Sequence, residues 1–171
     1  MAELLTETYK KMIVEDEYDP LDIKEDTEIM RIVKGLSGGY KSMALISAEL
    51  KTQSNDEKMK NTESLEKQIE EYEYFDAFGR WEKVDENSFM IMDISREETE
   101  KFAREYNQAS YIWSDFYYGK HYMYNRDDSG EYILNKECCE RNIEDVSRLD
   151  MDTVMDDFTI VNDTKFRINF Y

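Results

Sequence analysis

Gly35-Leu36-Ser37-Gly38-Gly39-Tyr40-Lys41-Ser42 differs at one position from a phosphate-binding loop, with Lys41-Ser42 where that motif carries its lysine and hydroxyl. The mismatch is decisive. A glycine before the lysine lets backbone N–H groups wrap the phosphate, and here that residue is Tyr40; the flanks also read helix-to-strand where the loop needs strand-to-helix. Asn125-Arg126-Asp127-Asp128-Ser129-Gly130 opens like a calcium loop, with oxygen ligands at its first, third and fifth residues and glycine at the sixth. The closing bidentate glutamate is replaced by Lys136, and the same residues make a good hairpin turn. Asp150, Asp152, Asp156 and Asp157 supply carboxylates for a hard cation or for acid/base work, but no pattern orders them into a site. His121 is the only histidine, and no Ser or Cys nucleophile at a sharp turn accompanies it. The adjacent Cys138 and Cys139 cannot form an unstrained disulfide with each other, and with one histidine they offer too few soft ligands for structural zinc. No cofactor or metal is expected, and the chain reads as a non-enzyme.

The elements that would position these residues alternate in type. Apolar residues at helical spacing in 3–14, then Ile29, Ile32, Val33 and Leu36 beyond Pro20, predict two N-terminal helices, an appendage over residues 1–37. A domain over 41–171 follows. Ser42 to Ala48 is a short apolar run of strand length. Ser54 with Glu57 forms a capping box that starts a helix to about Glu73, and Ser95 with Glu98 starts a second one, carrying Phe102, Ala103 and Tyr106. Between and after them, Phe75–Trp81, Ser88–Ile94 and Gln108–Trp113 complete the order strand, helix, strand, strand, helix, strand. Tyr117–Tyr124 and Glu131–Leu134 predict a Tyr-rich hairpin around Asp127–Gly130, followed by a helix over Glu140–Leu149 and last strands at Thr159–Val161 and Phe166–Tyr171. The fold expected is α+β: a small, mostly antiparallel sheet packed by helices, with two N-terminal helices and a C-terminal hairpin extension over 114–171.

Forty acidic against twenty-two basic residues give a net charge of −18, spread along the whole chain. The densest part is Glu140, Glu144, Asp145, Asp150, Asp152, Asp156, Asp157 and Asp163, interrupted only by Arg141 and Arg148. A charge of this sign excludes a groove that tracks phosphates, so direct nucleic-acid binding is not expected. No apolar run reaches membrane-spanning length, and the N-terminus lacks the pattern of a secretory signal, so the cytoplasm, of a bacterial host cell, is the expected location. Thirteen tyrosines exceed what a small core buries, and Tyr117, Tyr118, Tyr122, Tyr124 and Tyr132 are candidates for aromatic anchors at a protein interface.

Ile46-Ser47-Ala48, the helix from Ser54, the aromatic segment up to Gly79, Trp81 with Ser88-Phe89, Ile94 to Glu98, and Gln108 to Trp113 form an ordered set of motifs. Over residues 44–113 this set resembles an uncharacterised family of domains of unknown function found in bacteria and phages. The usual glycine before the glutamine is Asn107 here. The resemblance implies a small α+β domain and no particular activity. Charge and aromatics together suggest an acidic binding protein, phage or mobile-element encoded, that inhibits a basic nucleic-acid-binding host protein such as a nuclease or CRISPR effector by a DNA-mimicking surface. The alternatives are a ligand-binding domain or enzyme with its site near Trp81, Gln108 and His121, and an accessory part of a larger phage assembly.

Overall fold

Every residue of strand β1 (Ser42–Ser47) is buried, because both of its faces and both of its edges are covered. β3 (Val84–Met92) and β4 (Ser110–Asp115) flank it, each antiparallel. Met43 and Leu45 point to one side of the sheet and Ala44 and Ile46 to the other, which is why the run is apolar without alternation. The computed structural model describes residues 26–147 and 157–170. The remaining strands are β2 (Tyr74–Trp81), β5 (Lys120–Arg126), β6 (Tyr132–Cys139), β7 (Ile143–Asp145), β8 (Phe158–Val161) and β9 (Thr164–Ile168). One antiparallel sheet contains all nine strands of the described residues, in the order β6-β5-β4-β1-β3-β2-β8-β9-β7. Lys136 of β6 and Arg167 of β9, from opposite ends of that order, line a common cavity, so the sheet curls almost closed, like a barrel.

Three short helices serve this sheet among the described residues: α1 (Glu28–Val33), α2 (Asn55–Gln68) and α3 (Arg96–Glu105). α2 and α3 cover the outer face, where Leu65, Ile69, Phe102 and Ala103 pack on Ala44, Ile46, Phe89 and Ile91. The capping box at Ser54 forms as expected: Glu57 N–H donates to Ser54 Oγ at 3.2 Å and Ser54 N–H to the Glu57 carboxylate at 2.8 Å. Ser95 likewise accepts from Glu98 N–H at 3.1 Å. α1 sits against the inner face, its Met30 and Val33 joined to Met43, Met92 and Phe166 in one core. Thr27 caps it and shares a 2.8 Å hydroxyl bond with Thr164 of β9.

The expected architecture is therefore corrected. The sheet is neither small nor packed by a pair of N-terminal helices; it has nine strands, and β7, β8 and β9 extend it beyond β2 where a separate C-terminal hairpin extension was expected. The segment of α1 is built into the core rather than appended to it, and the helix expected over 3–14 lies outside the described residues. Over 140–147, the described part of the helix expected at Glu140–Leu149, the chain forms a single 3-10 turn, Glu140–Asn142, followed by β7. Ile143 pairs with Ile168 and Val146 N–H donates to Lys165 carbonyl at 2.8 Å, so pairing with β9 makes the segment an edge strand and buries Ile143 and Val146 in separate cores. The calcium-like loop is a hairpin turn, in which Asp127 Oδ1 accepts from Ser129 and Glu131 N–H groups, both at 2.9 Å.

Candidate functional site

The inner positions of the strands change character along their length. In β3 they read Glu86, Ser88, Met90 and Met92; in β1, Ser47 follows Leu45; in β4, Ser110 precedes Ile112. Register places Ser47 opposite Ser88 and Gly79 opposite both Glu86 and Thr159. One end of the curled sheet is thus apolar and closed by α1, and the other carries a ring of hydroxyls and a carboxyl above an apolar floor. A hollow of about 60 Å³ lies within that ring, with Leu45, Ile112 and Met123 below and Ser47, Ser88 and Thr159 around it. Trp81 forms its wall. A Cβ at Gly79 would stand 3.2 Å from Trp81 Nε1, so the missing side chain is what lets the indole lie across the strand. Asn125, paired with Ser110, has its Oδ1 shielded from water with no donor among the described residues.

Glu86 is the charged member of this ring. Burial pushes its carboxyl pKa up to about 7; the Glu49 carboxylate pushes the same way, and Lys58 partly offsets both. Glu49 is itself buried and held, accepting from the Asn87 backbone N–H at 3.1 Å and side-chain amide at 2.8 Å. Glu86 can therefore donate or accept a hydrogen bond near neutral pH, the state that a binding or proton-transfer carboxyl needs.

A larger cavity of about 280 Å³ opens at the seam between the two ends of the sheet and shares Trp81 and Met123 with the first. Lys136, Asp157, Arg167, Ile168, Asn169 and Phe170 complete its lining. Arg167 donates through Nη2 to Glu144 at 2.7 Å, while its Nε is shielded from water without an acceptor among the described residues.

Of the three residues expected to share a ligand site, Trp81 alone reaches these cavities. Gln108 is buried and ties backbone together, its Nε2 donating to the Glu49 carbonyl at 3.1 Å and the Tyr106 carbonyl at 3.2 Å. His121 is buried at the closed end, level with Ser114 and Met43, with Nδ1 2.6 Å from Ser114 Oγ. Burial lowers its pKa to about 4, so it is neutral. The tyrosines divide. Tyr132 is buried, and its hydroxyl donates to the Gln108 carbonyl at 2.5 Å. Tyr124 stacks on Tyr111 at 5.0 Å and Tyr122 on Trp113 at 6.1 Å. Tyr117 and Tyr118, 86% and 69% exposed, stand edge-to-face in the turn between β4 and β5.

Five of the eight expected acids lie among the described residues, and each has surroundings of its own. Glu144 is paired with Arg167, Asp145 accepts from Ser147 N–H, and Asp157 accepts from Glu82 N–H. Glu140 is half-buried over Gly119 and Asp163 is exposed in the β8–β9 turn. Asp150, Asp152 and Asp156 lie outside the described residues. No group of His, Cys, Asp and Glu suited to a metal ion occurs among the described residues, and none of their helices is long and apolar enough to cross a membrane. Sequence reasoning missed Glu86; its signal is a carboxylate in phase with the buried Met90 and Met92.

A family described as "Protein of unknown function (DUF3293)" matches residues 47–110, less than half of the chain. The matched stretch runs from the end of β1 to the start of β4 and includes Ser47, Glu49, Trp81, Glu86 and Ser88. It agrees with the reading of 44–113 as a domain of unknown function and gives no support to a phage origin. No curated protein matches the chain.

Proposed function

We propose that the chain binds a small organic ligand at the open end of its curled sheet, with Glu86 as the polar contact and Trp81 as the apolar wall. The observation that carries this reading is Glu86 itself: a carboxyl held near half-protonation inside a ring of hydroxyls, over an apolar floor. Mouths of barrels are recurrent ligand sites because curvature supplies concavity without breaking the ladder. A ligand that binds only the native fold raises its melting temperature. In a thermal-shift panel of metabolites, compounds that stabilise the wild type should lose that effect in Trp81→Ala and Glu86→Ala. A panel with no stabilising compound, or one whose effects survive both substitutions, sinks the reading.

The exposed Tyr117–Tyr118 pair favours a second reading, an acidic protein that docks on a basic partner. Asp115 Oδ1 holds the pair's turn by accepting from both backbone N–H groups, at 2.9 and 3.3 Å. In its specific form, this reading is a phage or mobile-element inhibitor of a nucleic-acid-binding defence protein. Capture of such a nuclease by the wild type, weakened by salt and by Tyr117→Ser with Tyr118→Ser, is its expected signature; capture indifferent to both rejects it.

A further inference from the structure

We infer that the ligand is an organic acid whose carboxylate is taken by Lys136 and Arg167 in the seam, while its hydrogen-bond donor end reaches Glu86. This inference rests on the ligand site proposed above and names its chemistry. Trp81 and Met123 line both cavities, so a flat body against them has one end in the hydroxyl ring and the other in the seam. The seam has the volume for such a body, about 280 Å³. In a chain of net charge −18, the seam nevertheless brings together two cations from strands at opposite ends of the sheet. Lys136 forms no ion pair with any described residue. The Arg167 guanidinium is oriented by Glu144 and keeps one shielded N–H without an acceptor. A carboxylate meets the Lys136 ammonium beside the positive charge of the Arg167 guanidinium, and charge-assisted bonds to such groups are the strong ones. Asp157 faces the same cavity and opposes an anion near it, but it is occupied by Glu82 N–H at 3.0 Å. It also supplies an acceptor for a ligand N–H. The class that fits is a planar, N–H-bearing carboxylic acid.

Three probes of one shape separate the parts of this assignment: indole-3-acetate, its neutral amide indole-3-acetamide, and the cation tryptamine, titrated into the full chain by calorimetry or NMR. The acid should bind at least about tenfold more tightly than the amide, and tryptamine more weakly than either. Lys136→Gln should reduce affinity for the acid about five- to tenfold and leave the amide unchanged, whereas Lys136→Arg should retain it. Lys136 is exposed, so these variants fold. Equal affinity for acid and amide, or a Lys136→Gln variant that binds the acid as well as the wild type, overturns the carboxylate assignment. If the amide still binds and Trp81→Ala abolishes it, the ligand site itself stands. Failure of all three probes to bind counts against both.

Discussion

Glu86 and His121 are both displaced from their ordinary pKa values by burial, and their consequences for stability have opposite signs. Glu86 is raised from 4.5 to about 7. Across that window the folded chain keeps a proton that the unfolded chain releases, so its contribution to stability falls as pH rises. Glu86→Gln removes the penalty. The variant should be more stable than the wild type at pH 8, by at most about 3 kcal/mol, with no advantage below about pH 4.5; urea denaturation at the two pH values checks this, and a pH-independent difference refutes it. His121 is lowered from 6.5 to about 4, so the stability of its neutral form is complete above 6.5 and is lost as pH falls towards 4. Its ring protons should show no titration between pH 8 and 5.5 in NMR spectra. Trp81 stood out in the sequence as a large aromatic in an ordered motif. Glu86 did not, because one glutamate among forty acids is distinguished only by the strand phase that turns it inward.

At the scale of elements, α1 matters more than its length suggests. Met30 is fully buried among Met43, Met92 and Phe166, and closing one end of the curled sheet leaves the other as the open one. Met30→Ala should cost about 2–5 kcal/mol, the range for truncating a buried methionine; a loss below about 1 kcal/mol in denaturant melts would show that α1 detaches without consequence. Local chemistry was legible wherever it was strong. The cap at Ser54, the hairpin turn at Asp127 and the buried run at β1 all form where the residues call for them. The helix expected over Glu140–Leu149 failed over its described part because Ile143 and Val146, which would share a helix face, are buried in separate cores once 143–145 pairs with β9. The Tyr-rich hairpin was legible as strands, yet which tyrosines are buried depended on α3, whose Arg104 covers the Tyr132 ring at 5.3 Å.

For the whole molecule, a net charge of −18 leaves self-repulsion that internal ion pairs such as Arg80–Asp85 and Arg104–Glu100 do not cancel. Screening should relieve it: raising potassium chloride from about 20 mM to 500 mM, where the Debye length becomes shorter than the spacing of most surface charges, should raise the melting temperature by a few degrees. A flat or falling profile would mean that attractive pairs dominate. Taken alone, the sequence determined the charge, the central strand, the capped helices and the order of elements over 44–113, because periodicity, caps and turns act over a few residues. Only the tertiary structure decided that the nine described strands share one curled sheet, that 143–145 and 158–168 lie at its edge, and that Trp81 lines both the cavity of Glu86 and that of Lys136 and Arg167. Those placements depend on pairing between strands far apart in the chain, and the choice of partner leaves no local mark in the residues that make it.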